Sequence, residues 1–148
     1  GRLEGAESPE ECALRETWEE LGIPQEKIRL LGRLDFIAHR ANFILHPVLA
    51  LVEGDALGHL RLNPDEVAEV FQVPLDHLRN EPPLEYRYDL VPRPDENFPY
   101  DLIGISRDYR WQIGGEDVPV YPWKGHVIWG LTGRITRHLT ALLEEAGV

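Results

Sequence analysis

The chain has 148 residues, 26 acidic and 15 basic, giving a net charge of −11, and 43% of its residues are hydrophobic. That length and composition suit one domain over residues 1–148, and the acidic balance excludes nucleic acid and an anionic membrane as main partners, since both demand a basic surface. Cys12 is the single cysteine, so no internal disulfide can form, and no apolar run nears the roughly 20 residues of a membrane span.

A cytoplasmic enzyme or binding domain is the expectation that remains. Met is absent, even at position 1, and the natural beginning of the chain is expected to lie upstream.

In chain order, Ser8-Pro9-Glu10-Glu11 predicts a helix start: Ser8 as N-cap, Pro9 at the first helical position, Glu11 closing a capping box. Leu14, Thr17, Trp18 and Leu21 then share one side at helical spacing and are expected to face the core. Gly22, followed by Pro24, stops the helix. Residues 27–38 and 42–54 form two strand-like runs separated by His39-Arg40-Ala41, an expected antiparallel pair. A short strand is predicted around Val67 to Val73, then a short helix opening at Pro74. Residues 81–123 are rich in Pro and Tyr with poor periodicity, and are expected to form an ordered aromatic excursion. Leu131, Ile135, Leu139 and Leu142 predict a last helix over about 130–146. Together these elements imply an α+β domain, an α/β/α sandwich around a mixed β-sheet.

The first helix carries an unusual charge pattern. With Glu16 at 0° on a helical wheel, Glu20 falls near +40° and Glu19 near −60°, all within roughly 100° of arc. A solvated helix face is the plain alternative. However, no Lys or Arg stands four residues beyond any of the three to form the usual pair. Small Cys12 and Ala13, one turn earlier, also leave room for a loop or ligand to approach.

From Gly1 the chain reads Gly, five residues, Glu7, seven residues, Arg15-Glu16, two residues, Glu19-Glu20, one residue, Gly22-Ile23. This resembles the Nudix hydrolase signature G-x5-E-x7-R-E-U-x-E-E-x-G-U, with a chance frequency on the order of 10⁻⁹ per window. Thr17 departs from the usual aliphatic residue but is near-isosteric with valine. The resemblance implies a Nudix fold whose box, residues 1–23, forms a loop-helix-loop. It also implies that Glu16, Glu19 and Glu20 hold Mg²⁺ or Mn²⁺, joined by the Gly1 carbonyl, and that Glu16 and Glu19 are central to catalysis. Hard carboxylate oxygens suit these cations. Arg15, four residues before Glu19, would hold the carboxylates in orientation, and Glu7 would support the helix N-terminus electrostatically. The general base would be a box glutamate or an acid on a distant loop. Asp65 and Glu66, in Asn63-Pro64-Asp65-Glu66, are candidates, with an ordinary turn as the alternative.

The reaction implied is hydrolysis of a nucleoside diphosphate derivative, a small-molecule substrate. Residues 66–78 and 121–139 look like the corresponding region of the coenzyme A diphosphatase branch. In these, Val127 and Ile128 are expected to end a strand, Trp129 to fill the core, and Gly130 to permit close helix packing. That branch's motif ends in Phe-Pro-Gly-Gly upstream of the box, and this sequence begins at what would be the last glycine. The missing segment would also supply strands of the sheet. ADP-ribose or a nucleotide sugar is the alternative substrate, and a non-catalytic nucleotide-sensing module the alternative class. The retained box charges and the lack of a basic helix weigh against the latter. His39 and Arg40, in the predicted hairpin turn, could touch phosphate or simply be solvated, and His46 reads as a structural strand histidine. The tract 96–115 could shape a nucleotide pocket or a homodimer surface.

Overall fold

The computed structural model describes residues 1–147, which form helices and antiparallel strands of an α+β fold arranged in two compact units, Gly1–Gln72 and the chain from Val73 onward.

In the first unit, α1 (Pro9–Leu21) starts as its sequence dictates. The Ser8 Oγ accepts from the Glu11 amide at 3.2 Å, and a Glu11 carboxylate oxygen accepts from the Ser8 amide at 2.7 Å. Two of the helix's orphan donors are thereby satisfied. Gly22, at φ 68°, ends the helix and donates to the Trp18 carbonyl at 2.9 Å. The two strand-like runs do pair, but as a nested, interrupted hairpin. The outer strands β1 (Ile28–Arg33) and β4 (Val48–Val52) pair antiparallel from Ile28↔Val52 to Arg33↔Val48. The inner strands β2 (Ile37–His39) and β3 (Phe43–Leu45) pair from Ile37↔Leu45 to His39↔Phe43. Arg33 of β1 grips Glu10 of α1 through two nitrogens, tying hairpin to helix. The segment after β4 docks on the helix end, where the Arg61 amide donates to the Leu21 carbonyl and the Asn63 amide to the Glu20 carbonyl, both at 2.9 Å.

Two expectations fail here. Trp18 does not join the core: it is 46% exposed, with the Arg61 guanidinium 5.4 Å from its ring centre, and Cys12 is the buried residue of α1. A cation over the ring gives an exposed indole a polar partner that a core position would deny it. Nor is there a strand over 67–73 among the described residues. The chain turns at Asn63–Glu66 instead, and Val70 and Phe71 beyond it are exposed. Alternation alone does not make a strand where no neighbour supplies the ladder.

The second unit holds α2 (Leu75–Asn80), β5 (Leu84–Leu90), the single turn α3 (Tyr100–Ile103), β6 (Gly114–Trp123), β7 (His126–Ile128) and α4 (Gly130–Glu145). The aromatic excursion is ordered, and it contains a strand pair that its poor periodicity concealed. Strand β6 pairs with β5 over Gly114–Val120 and with β7 over Tyr121–Trp123. Each half of β6 thus has one strand neighbour, so the missing N–H groups of Pro119 and Pro122 interrupt no three-strand ladder.

Helix α4 lies on β6 through Gly133, not Gly130. A Cβ on Gly133 would sit 2.5 Å from the Pro119 carbonyl oxygen, whereas one on Gly130 would meet nothing within 4 Å. Arg134 pairs with Glu116 and Arg137 with Glu85, each at 3.1 Å, fastening the helix to β6 and β5. Trp129, expected in the core, is 65% exposed as the residue before α4. The strand pairings among the described residues are all antiparallel.

Candidate active site

The capped start of α1 sets the phase of its polar face, and Arg15 organises that face. Its Nη1 donates to Glu16 at 3.0 Å and to Glu19, one turn on, at 2.9 Å. Its Nη2 and Nε grip Glu7 at 2.8 and 3.2 Å, and Nη2 also reaches the Arg2 carbonyl at 3.0 Å. One planar guanidinium therefore collects three carboxylates and a main-chain oxygen, using the fork geometry that lysine lacks. Glu19 is half-exposed, while Glu16, Arg15 and Glu7 are more sheltered.

Glu7, ahead of the helix, has a partner that its place in the sequence does not announce. The capping is done by Ser8 and Glu11 as expected, and Glu7 anchors Arg15 while accepting from the Glu4 amide at 2.7 Å. Its carboxyl is lowered from an ordinary 4.5 to about 2, first by the Arg15 hydrogen bond and next by that of the Glu4 amide. Arg15 is correspondingly pushed up, chiefly by Glu7. Burial, then Glu7, raise the Cys12 thiol, the chain's one thiol, above its ordinary value.

The folded value of Glu7 lies below the unfolded one. The clasp's contribution to stability is therefore full above about pH 4.5 and disappears as pH falls toward 2. A carboxyl-carbon NMR titration should find Glu7 still ionised at pH 3 and titrating upward in Arg15→Ala. An ordinary midpoint in the unmodified protein would show that the clasp does not form in solution.

The backbone of Gly1 closes one side of the cluster. A Cβ there would fall 2.0 Å from Glu16 Cδ, so any side chain at this position would displace the Glu16 carboxylate. Among the described residues no three His, Cys, Asp or Glu side chains converge as a ready-made ligand set. Arg15 supplies the positive charge and spreads the carboxylates along its fork. The donor set nevertheless suits a hard divalent cation. Glu16 and Glu19 each give Arg15 one oxygen and have a second to offer, and the Gly1 main chain abuts Glu16. Glu20 follows on the same helix, partly exposed.

The other candidates are placed elsewhere. The Glu66 carboxylate accepts from Asn63 Nδ2 at 3.2 Å, in a turn whose Asp65 amide donates to Asn63 Oδ1 at 3.2 Å. That turn is anchored to the Glu20 carbonyl through the Asn63 amide, at the far end of α1 from Glu7. His39 and Arg40 sit at the tip of the β2–β3 hairpin. The His39 ring stacks on Phe43 with centroids 4.6 Å apart, and its Nδ1 accepts from the Ala41 amide at 3.2 Å. These contacts favour the turn account over phosphate contact for His39. His46, beyond β3, packs its ring near Phe36 at 6.2 Å.

Beside Glu16, a cavity of about 520 Å³ opens between α1 and β3. No helix among the described residues is long and apolar enough to cross a membrane.

Comparison with known proteins bears directly on this arrangement. Residues 1–93 match the NUDIX domain. The chain is 38% identical over 80 residues to Nudix hydrolase 3 of Caenorhabditis elegans, covering 53% of this chain and 33% of that protein. It is 42% identical over 135 residues to an uncharacterized Nudix hydrolase, NudL, of Pectobacterium atrosepticum, covering 91% and 59%. It is 34% identical over 131 residues to the mitochondrial coenzyme A diphosphatase NUDT8 of Mus musculus, covering 88% and 53%. The chain spans about half the length of most of the curated relatives it matches.

Proposed function

The chain belongs to the NUDIX domain family, and on that premise we propose that it hydrolyses the diphosphate linkage of a nucleoside diphosphate derivative, with coenzyme A the favoured substrate. The observation that carries this reading is the Arg15 clasp, which presents Glu16 and Glu19 side by side on one helix face next to the Gly1 backbone. Glu16, Glu19 and Glu20, with the Gly1 carbonyl, would hold Mg²⁺ or Mn²⁺. When bound, such an ion neutralises the diphosphate and lowers the pKa of the attacking water. Arg15 fixes the carboxylates' orientation. Water attacks one phosphorus, its proton passes to a carboxylate, either a box glutamate or Glu66 in the turn held to the Glu20 carbonyl, and the anhydride P–O bond breaks. For coenzyme A the products are adenosine 3′,5′-bisphosphate and 4′-phosphopantetheine.

The choice of coenzyme A is supported by the similarity to NUDT8, which covers most of this chain. The substrate is taken to be a small molecule and not a nucleic acid, in keeping with the net charge of −11. Incubating the protein with Mg²⁺ or Mn²⁺ and either coenzyme A or ADP-ribose, with products read by mass spectrometry, tests the proposal. Release of 4′-phosphopantetheine is expected. Turnover of ADP-ribose alone would overturn the substrate, and turnover of neither would overturn the reaction.

A further inference from the structure

The second unit holds a cavity of its own, about 440 Å³, bounded by the later turns of α2 and α4 and by β5 and β6. Its volume lies within the roughly 300–1,000 Å³ of small-molecule sites and far exceeds the share of about 30 Å³ that one water fills. Tyr121 lines it, only 3% exposed, and its Oη is enclosed yet makes no hydrogen bond among the described residues. The hydroxyl of Thr140, which also lines the cavity, donates instead to the Arg137 carbonyl at 3.0 Å. A buried hydroxyl left in this way costs free energy that a bound acceptor restores. We propose that the cavity binds a small organic monocarboxylate, its oxygens on Tyr121 Oη and the Arg137 guanidinium and its hydrocarbon body against Leu78, Pro83 and Ala141. This site is independent of the hydrolysis proposed above.

The lining selects that class of ligand. Burial raises the Tyr121 phenol above its ordinary value, so it keeps its proton and asks for an acceptor. Arg137 spends only Nη1 on Glu85, whose two oxygens accept at 3.1 and 3.3 Å, and its Nε and Nη2 have no partner among the described residues. Arg79, also in the lining, has no ion pair among the described residues. The edge of a guanidinium and a hydroxyl donor together suit a planar carboxylate. Glu144 borders the cavity as well, and its charge favours a single carboxylate over a phosphate dianion. A cationic ligand would face both arginines and leave the Tyr121 hydroxyl unpaired. Leu78, Pro83 and Ala141 supply apolar surface for a short hydrocarbon body.

Titrating sodium butyrate into the full chain while following its amide resonances tests this. Thr140 and Ala141 should shift saturably, and butylamine or inorganic phosphate at equal ionic strength should leave them in place. Tyr121→Phe should weaken butyrate binding by about tenfold, and Arg79→Gln should weaken it to a lesser degree. Because the hydroxyl has no partner, Tyr121→Phe without butyrate should melt no lower than the unmodified protein, which also shows that the variant folds. Absence of a butyrate shift, undiminished affinity in Tyr121→Phe, or equal shifts with butylamine or phosphate would each overturn the carboxylate site. A clearly lowered melting midpoint for Tyr121→Phe would mean that the hydroxyl is already satisfied within the fold, and would overturn it too. None of these readouts needs a metal or turnover, so failure of the hydrolysis and failure of this site are told apart.

Discussion

Glu19→Gln should abolish nearly all metal-dependent turnover while leaving the thermal midpoint in place. The substitution keeps the shape of the side chain and removes its charge. Glu19 is half-exposed and bonds Arg15 Nη1 at 2.9 Å, a surface pair, so the fold has little invested in it. A site in which a divalent cation offsets phosphate charge depends on each anionic ligand for several kcal/mol of transition-state stabilisation. A loss of about a thousandfold in kcat is therefore expected. Glu16→Gln should behave alike in activity. Steady-state rates at saturating Mg²⁺, set beside melting curves, make the check. If turnover persists in Glu19→Gln, the carboxylate face of α1 is only a solvated surface.

The second large effect concerns stability. Gly133→Ala should lower the melting temperature of the second unit markedly, because its new methyl group would be built 2.5 Å from the Pro119 carbonyl oxygen. That oxygen belongs to strand backbone and cannot swing away as a side-chain tip could. Pro119 is fully buried. Helix α4 must then ride off β6, straining its ties from Arg134 to Glu116 and from Arg137 to Glu85. Overpacking of this kind costs about 1–3 kcal/mol. Gly58→Ala, whose methyl would meet nothing within 4 Å, is the control and should be close to neutral. Thermal unfolding by near-ultraviolet circular dichroism separates the two. An undiminished midpoint for Gly133→Ala would mean that α4 does not approach β6 so closely.

The features legible in the sequence share one property, which is that local chemistry decides them. The start of α1 is written in Ser8, Pro9 and Glu11, and its end in Gly22, because capping bonds span only three or four residues. The nested hairpin could be read from two apolar runs around a short turn. The β5–β6 pair could not. Leu84–Leu90 alternates glutamate, arginine and aspartate with tyrosine and is exposed throughout, and β6 carries two prolines. Its stability comes from the long register from Leu84↔Val120 to Leu90↔Gly114 and from cross-strand pairs such as Arg87 with Asp117. Trp18 and Trp129 were misplaced for a related reason: spacing names a helix face or a strand end, but whether anything covers it is decided elsewhere in the fold.

The candidate site divides in the same way. Arg15, Glu16 and Glu19 are brought together by one helical turn, which periodicity reports faithfully. Glu7's clasp on Arg15 crosses the helix cap with seven residues between partners, a distance at which neither periodicity nor capping rules speak. The cavity beside Glu16 joins α1 to a strand some thirty residues later, and only the folded hairpin reveals it.

Where a divalent ion binds decides whether the glutamates of α1 form a metal site. Crystals soaked with Mn²⁺ and a nucleotide, read by anomalous scattering, should show the metal among the carboxylates of Glu16, Glu19 and Glu20, with the diphosphate against it. Manganese and nucleotide located elsewhere on the chain, with those three glutamates bound only to Arg15 and solvent, would contradict that placement.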